Sequence, residues 1–280
     1  MSKYSVHPVV IGFAVITAFL TALANVLVEN WFGISIFSFG FWVILPVGAV
    51  LIGACGASGG LLACRYFNVK PSVIDAVLLM AVGALTMWLI YFLGYATIVL
   101  DDGRKVSDII SFEEYFDFVV TKAHMRIGRT MSDTGEVGSF GYVTLLIRFV
   151  GVLIGGFAVF GMLKSYPMCG KCNVYFKKIA TKVSKPMTTE QAQEIYSHMK
   201  AGTEESYKHA IASLPSTPTA TEPGAATVTF TLLRCPKCKD ELITEEFQIM
   251  NKSKNWVAVK DLSGRTAVPS GSSFESSFKA

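Results

Sequence analysis

Two short cysteine pairs carry the chemistry most readily read from this chain. Cys169 and Cys172 enclose Gly170 and Lys171, and Cys235 and Cys238 enclose Pro236 and Lys237. A two-residue gap lets both sulfurs of a pair reach one ion, and Gly or Pro favours the tight turn this requires. Four thiolates together satisfy the tetrahedral preference of Zn2+. Cys169, Cys172, Cys235 and Cys238 are therefore the candidate ligands of a structural Zn2+, with Lys171, Lys177, Lys237 and Lys239 close by in sequence to offset four negative charges. Two other chemistries use the same residues. A CxxC pair can lower a thiol's pKa and exchange disulfides, although such pairs open a helix after a strand, and no βαβ pattern surrounds these. A four-sulfur set also suits iron.

Elsewhere the chain offers little to catalysis. It has no Walker loop, no GxSxG, no HExxH and no dinucleotide-binding glycine fingerprint, and its four histidines are scattered. The sequence reads as a non-enzyme. Nor does an Arg-rich or aromatic-interleaved stripe point to nucleic acid.

The segments that must position the sulfurs are legible. Thr227 to Leu233 alternates and is rich in β-branched residues, so it reads as the strand entering the second pair. Glu241 to Met250 and Trp256 to Val259 read as two further strands around a turn at Asn251. Together these features resemble the zinc-ribbon class, with its rubredoxin-like knuckle pair, over residues 167–260 only. The resemblance implies a small domain folded around the metal. Common ribbons place the pairs about 15–20 residues apart, whereas 62 residues separate Cys172 from Cys235.

That insertion has its own pattern. Thr188 or Thr189 can cap a helix to Lys200, with Ala192, Ile195, Tyr196 and Met199 on one face, and Thr203-Glu204-Glu205 starts a second ending near Leu214. The helical insertion thus covers residues 186–214. It is free to dock on the ribbon or on a partner, and His198 and His209 on it are expected to face solvent. Residues 215–225, rich in Pro, Ser and Thr, read as a mobile linker, and 263–280 as a disordered tail.

The other half of the chain is of a different composition. Of 280 residues only 46 are charged, 51% are hydrophobic, and the apolar ones concentrate in 8–100 and 140–163. This excludes a wholly soluble enzyme, a collagen-like or disordered chain and a small disulfide-stapled secreted protein. A helix needs about 20 mostly apolar residues to cross a bilayer. Four segments qualify, at about 8–28, 36–63, 73–100 and 142–163, so residues 1–163 read as a four-helix transmembrane domain. The expected fold is an α-helical membrane bundle carrying a small cytosolic α+β zinc-ribbon domain over 164–262.

Charge sets the orientation. Lys3, Arg65, Lys70 and Lys164 fall on one side of a four-span arrangement, while Glu29 and the 101–141 loop, with eight acidic residues against five basic, fall on the other. By the positive-inside rule both termini are cytoplasmic, in a cell membrane of the bacterial inner-membrane type. The alternative for the first span is a signal peptide ending near Thr21-Ala22-Leu23-Ala24, which leaves the side of the tail unchanged.

Within the spans, Gly56 and Gly60, and Gly151 and Gly155, have the GxxxG spacing of close helix packing. Pro46 is expected to bend the second span. Arg148 either snorkels outward or pairs with Glu29, Asp101 or Asp102, and Asp75 complements the dipole of its helix behind Pro71. Cys55 and Cys64 read as small apolar residues. In the outer loop, Ser111 to Glu114 is a capping box opening an amphipathic helix to about 128, with a solvated His124, before a flexible 128–141.

The expected role is that of an inner-membrane protein whose zinc-bearing cytosolic ribbon binds or assembles another cytosolic or membrane protein. Its membership of an oligomer is open. The partners are the lipid bilayer and that unidentified protein; the tail, with 16 basic and 11 acidic residues after Leu163, also favours anionic headgroups. A small transporter or channel subunit and a membrane-bound thiol oxidoreductase are the alternatives.

Overall fold

The structure is a computed structural model and describes residues 8–40, 46–100, 103–122, 124–127, 132–268 and 274–279. The chain divides into two compact units, Met1–Tyr166 and Pro167–Ala280.

The first unit is built from α1 (Pro8–Phe32), α2 (Val47–Phe67), α3 (Val73–Thr97), a shorter α4 (Phe112–Thr121) and α5 (Phe140–Ser165). All but α4 are long and apolar enough to cross a membrane. Small residues decide how they pack. The buried face of α2 is Gly48, Ala49, Ile52, Gly53, Gly56, Ala57, Gly59, Gly60, Ala63 and Cys64. A Cβ added at Gly53 would lie 2.3 Å from the Val152 carbonyl oxygen, and one at Gly155 would lie 2.2 Å from that of Val50. The backbones of α2 and α5 therefore touch directly, an approach that small residues permit. On the α1 side the Thr17 hydroxyl lies 2.6 Å from the Gly56 carbonyl and accepts from Gly59 N–H at 3.0 Å.

Two boundaries differ from expectation. The second long helix starts at Val47 and runs on to Phe67, instead of covering 36–63. Pro46, having no N–H to give to a preceding turn, stands at the helix N-terminus and does not bend its middle. The expected start falls in a turn, where Ser38 N–H bonds to Ser35 O and Phe39 N–H to Ile36 O, and Gly48 N–H returns to Phe39 O at 2.8 Å. The turn is fixed from α1 by the buried Asn25, whose Oδ1 accepts from Phe37 N–H at 3.0 Å.

The segment between α3 and α5 differs as well. The Ser111–Glu114 capping box forms, with Ser111 N–H bonding Glu114 at 2.9 Å. The helix, however, stops at Thr121. A hairpin follows, of β1 (His124–Ile127) and β2 (Ser132–Glu136), in place of a helix to 128 and a flexible stretch. Its register sets His124 opposite Glu136 and Arg126 opposite Asp133. Lys122, capping α4, forms an ion pair with Glu136 at 2.6 Å. Arg148, on α5, lies with Cζ 5.6 Å from the centre of the Phe37 ring, reaches the Tyr91 hydroxyl and acts electrostatically on Glu29. Asp101 and Asp102 lie outside the described residues. Asp75 completes a capping box with Ser72, its carboxylate accepting from Ser72 N–H at 2.7 Å.

The second unit is an antiparallel sheet of β3 (Lys177–Val183), β4 (Ala226–Arg234), β5 (Glu241–Met250) and β6 (Trp256–Ala258) in that order, with β7 (Gly264–Ala267) also pairing β5. Alternation along β4 sends Ala226, Val228, Phe230 and Leu232 inward. α6 (Thr189–Lys200) and α7 (Glu204–Ala212) cover that face with Ala192, Ile195, Met199, Tyr207, Ala210 and Ile211. The insertion thus supplies the second layer of this unit's core.

Neither polar stretch of this unit hangs free. Thr219 N–H bonds to Pro186 O at 2.8 Å, and its hydroxyl to Gln191 at 2.7 Å, so the expected mobile linker is fastened to the start of α6. The expected disordered tail instead contains β7 and the short α8 (Glu275–Lys279), with Phe274 only 1% exposed in the core. A single aromatic ring and an edge strand suffice to hold a segment whose composition is otherwise that of a loop.

Candidate metal centre

Each cysteine pair sits in a hairpin of the same local design. In the first, Cys169 N–H bonds to Val174 O at 2.9 Å and Asn173 N–H to Cys169 O at 2.9 Å. In the second, Cys235 N–H bonds to Asp240 O at 2.8 Å and Lys239 N–H to Cys235 O at 3.1 Å. The residue after the second cysteine of each pair is left-handed, Asn173 with φ 51° and Lys239 with φ 66°. Such a residue reverses the chain so that both sulfurs of a pair point to the same side. Asn tolerates this conformation readily; Lys does so at a cost of about 1 kcal/mol.

Two strands bring the hairpins together. β3 leaves the first knuckle and β4 enters the second, and their register sets Lys177 opposite Arg234, next to Cys235. The four sulfurs converge: all lie within 4.8 Å of one another, and Cys169 and Cys238 are 3.6 Å apart. A tetrahedral ion with metal–sulfur bonds of about 2.3 Å sets its sulfurs about 3.8 Å apart. The residues present fit such an ion. Cys235 and Cys169 are buried beside Val174 and Phe176, Cys172 is half-buried and Cys238 is exposed.

The thiols do not titrate alike. Burial opposes ionisation of Cys235, but the N–H groups of Cys238 and Lys237, with the Cys238 and Cys169 thiols, outweigh it and pull its pKa down to about 7. At Cys238 the Asp240 N–H favours the thiolate, and the other three thiols together with desolvation override it, pushing it up to about 12. One proton thus leaves easily while those of Cys172 and Cys238 resist. A divalent cation relieves that resistance by neutralising the accumulated charge, and its binding is coupled to proton release.

Charge around the cluster is only partly what the sequence implies. Lys171 forms an ion pair with Asp240 at 2.8 Å, joining one knuckle to the other, and this raises the Lys171 pKa and lowers that of Asp240. Lys239 turns back to its own hairpin, toward Pro236 O at 3.3 Å. Asp240 was not among the expected site residues, and its position two residues after Cys238 was the one available signal. The sulfur cluster contains no histidine. His198 and His209 face each other, with ring centres 4.6 Å apart; His209 is exposed and His198 half-buried. His124 lies in β1, not on a helix.

Behind the second knuckle, β5 carries two buried carboxylates, on the same face of the strand as Ile243 and Phe247. Glu241 takes Arg234 Nε at 2.8 Å and Phe274 N–H at 3.1 Å, and Arg234 also reaches Glu275 at 3.0 Å. Glu245 accepts from the Tyr207 hydroxyl at 2.9 Å, and burial raises its pKa despite that bond.

No family model, curated protein or solved structure matches the chain.

Proposed function

We propose that this is an integral membrane protein whose second unit is a cytosolic zinc ribbon serving as an interaction or assembly module. The convergence of the four sulfurs from two knuckles of the same design is the observation that carries this reading. Cys169, Cys172, Cys235 and Cys238 would hold Zn2+, which supplies no chemistry beyond fixing the knuckles to each other. The four long apolar helices support the membrane assignment, and the charge bias toward Arg65, Lys70 and Lys164 supports a cytosolic second unit. A reducing compartment is also where an exposed Cys238 and a half-buried Cys172 stay as thiols. The zinc-ribbon class is the natural home for the strand-linked knuckles, with α6 and α7 as an insertion that closes the core.

Purified full-length protein should contain close to one equivalent of zinc and no iron by elemental analysis. Maleimide should label the four cysteines only after a chelator has removed the metal. Ready labelling before chelation, or a disulfide in the protein as isolated from cells, would favour a dithiol redox role instead. Crosslinking in cells should yield a reproducible protein partner on residues 173–260; crosslinks confined to lipid would remove the assembly role and leave the metal site standing.

A further inference from the structure

The hairpin of α6 and α7 sets two histidines against each other. Gly202, with φ 71°, turns the chain between the helices. Met199 and Ala210, which directly follow His198 and His209, are buried in the core. Packing therefore fixes the backbone beneath both imidazoles. The rings lie with centres 4.6 Å apart and planes tilted by 44°, His198 half-buried and His209 exposed. Among the described residues neither ring makes a hydrogen bond or an ion pair. A neutral imidazole keeps one unprotonated nitrogen, so the pair offers two lone pairs at the protein surface. Glu194 and Glu205, both exposed, stand one turn before His198 and His209 on the same helix faces, while Lys208 is engaged by Glu204. The local charge thus favours a cation.

The separation of the rings selects among cations. With metal–nitrogen bonds of about 2.0–2.1 Å and each nitrogen about 1.1–1.2 Å from its ring centre, two imidazoles at about 90° around one ion set their ring centres about 4.5 Å apart. At the tetrahedral angle the same bonds set them about 5.2 Å apart. The observed spacing matches the first arrangement. Right-angled nitrogen coordination is the preference of Ni2+ and Cu2+, whereas four sulfurs in a tetrahedron suit zinc or iron. We propose that His198 and His209 bind a divalent transition ion of the Ni2+ and Cu2+ class, one nitrogen from each ring in adjacent positions and water in the others. The site lies wholly on α6 and α7 and shares no residue with the sulfur cluster. A bound ion would fasten the two helices that cover the sheet. With only two protein ligands it is exchangeable, so the ion leaves on dialysis.

The test uses the full chain in detergent, with its cysteine-bound metal left in place. Calorimetric titration with NiCl2 should show one saturable equivalent, and the metal held by the cysteines should stay bound. His198→Gln and His209→Gln should each abolish that equivalent, while His124→Gln should leave it intact. In the unaltered protein, substoichiometric Ni2+ should broaden the ring-proton signals of two of the four histidines, a readout that needs no variant to fold. No saturable uptake, uptake that survives either the His198 or the His209 change, or broadening of fewer than two histidines overturns the site. Intense near-ultraviolet sulfur-to-nickel absorption, or loss of cysteine-bound metal in step with nickel uptake, would put the ion on the cysteines and overturn it as well. None of these outcomes bears on the cysteine-held metal as isolated, which elemental analysis before the titration reads separately.

Discussion

The two units of this chain solve opposite packing problems. In the helical unit cohesion comes from what side chains leave out: α2 meets α5 and α1 through glycines whose missing Cβ atoms would strike carbonyl oxygens 2.1–2.3 Å away. In the sheet unit it comes from what they fill in, with Phe230, Phe247, Phe274 and Leu232 interlocked beneath two helices and four sulfurs drawn together at one end. On the reading proposed above, in which the four long helices lie in lipid, the difference follows from the surroundings of each half. Burying a large apolar side chain gains free energy when the alternative is water, and gains almost nothing when the alternative is lipid.

The largest test of that contrast removes the sulfurs. Cys235→Ser is expected to reduce zinc to trace levels and to forfeit a binding free energy of roughly 10 kcal/mol. Limited proteolysis should then open the unit after Pro167 while α1 to α5 stay resistant. The same release should occur on acidification, since protonated thiols do not bind. If the sheet unit keeps its resistance without metal, its aromatic core alone holds it. The mirror experiment is Gly53→Leu, which drives a side chain into the backbone of α5 and should cost about 3 kcal/mol in the helical unit. Zinc content should be unchanged; a loss of zinc would show that the two halves do not fold separately.

A smaller effect of opposite sign is expected at Glu245. Burial raises its carboxyl pKa in the folded unit, so folding favours the protonated form. Stability contributed there is present at low pH and declines as pH rises from the ordinary carboxylate range through the raised folded value. Glu245→Gln should flatten that slope in a pH series of melting temperatures and stabilise the unit at neutral pH. Smallest is Lys239→Gly, which relieves a left-handed lysine and should raise stability by about 1 kcal/mol; thermal denaturation of the zinc-loaded protein measures it.

How legible each half was from its residues follows the same contrast. The cysteine spacing, the alternation of β4 and β5, the two helices of the insertion and the capping box at Ser111 are local patterns, and each stands where its residues implied. What stayed hidden depends on contacts distant in sequence. Residues 36–40 are as apolar as a helix, and only Asn25, reaching from α1, reveals that they turn instead. Phe274 stands alone among serines and glycines, so nothing near it announces a core position. Glu241 and Glu245 look like surface residues until Arg234, Tyr207 and the Phe274 amide supply their partners. Between α4 and α5, Ala123 and Ile127 continue the helical spacing beyond Thr121, and the pairing of β1 with β2 outweighs it.

The 62 residues between Cys172 and Cys235 also impose a timetable. At about 5–20 residues per second, a ribosome delivers the second pair roughly 3–12 s after the first. Through that interval Cys169 and Cys172 wait as a half-built claw, able to grip an ion with only two of its four fingers. If the cluster holds a metal, four-sulfur capture must wait for the second pair, and the strands β5 to β7 that complete the sheet follow it.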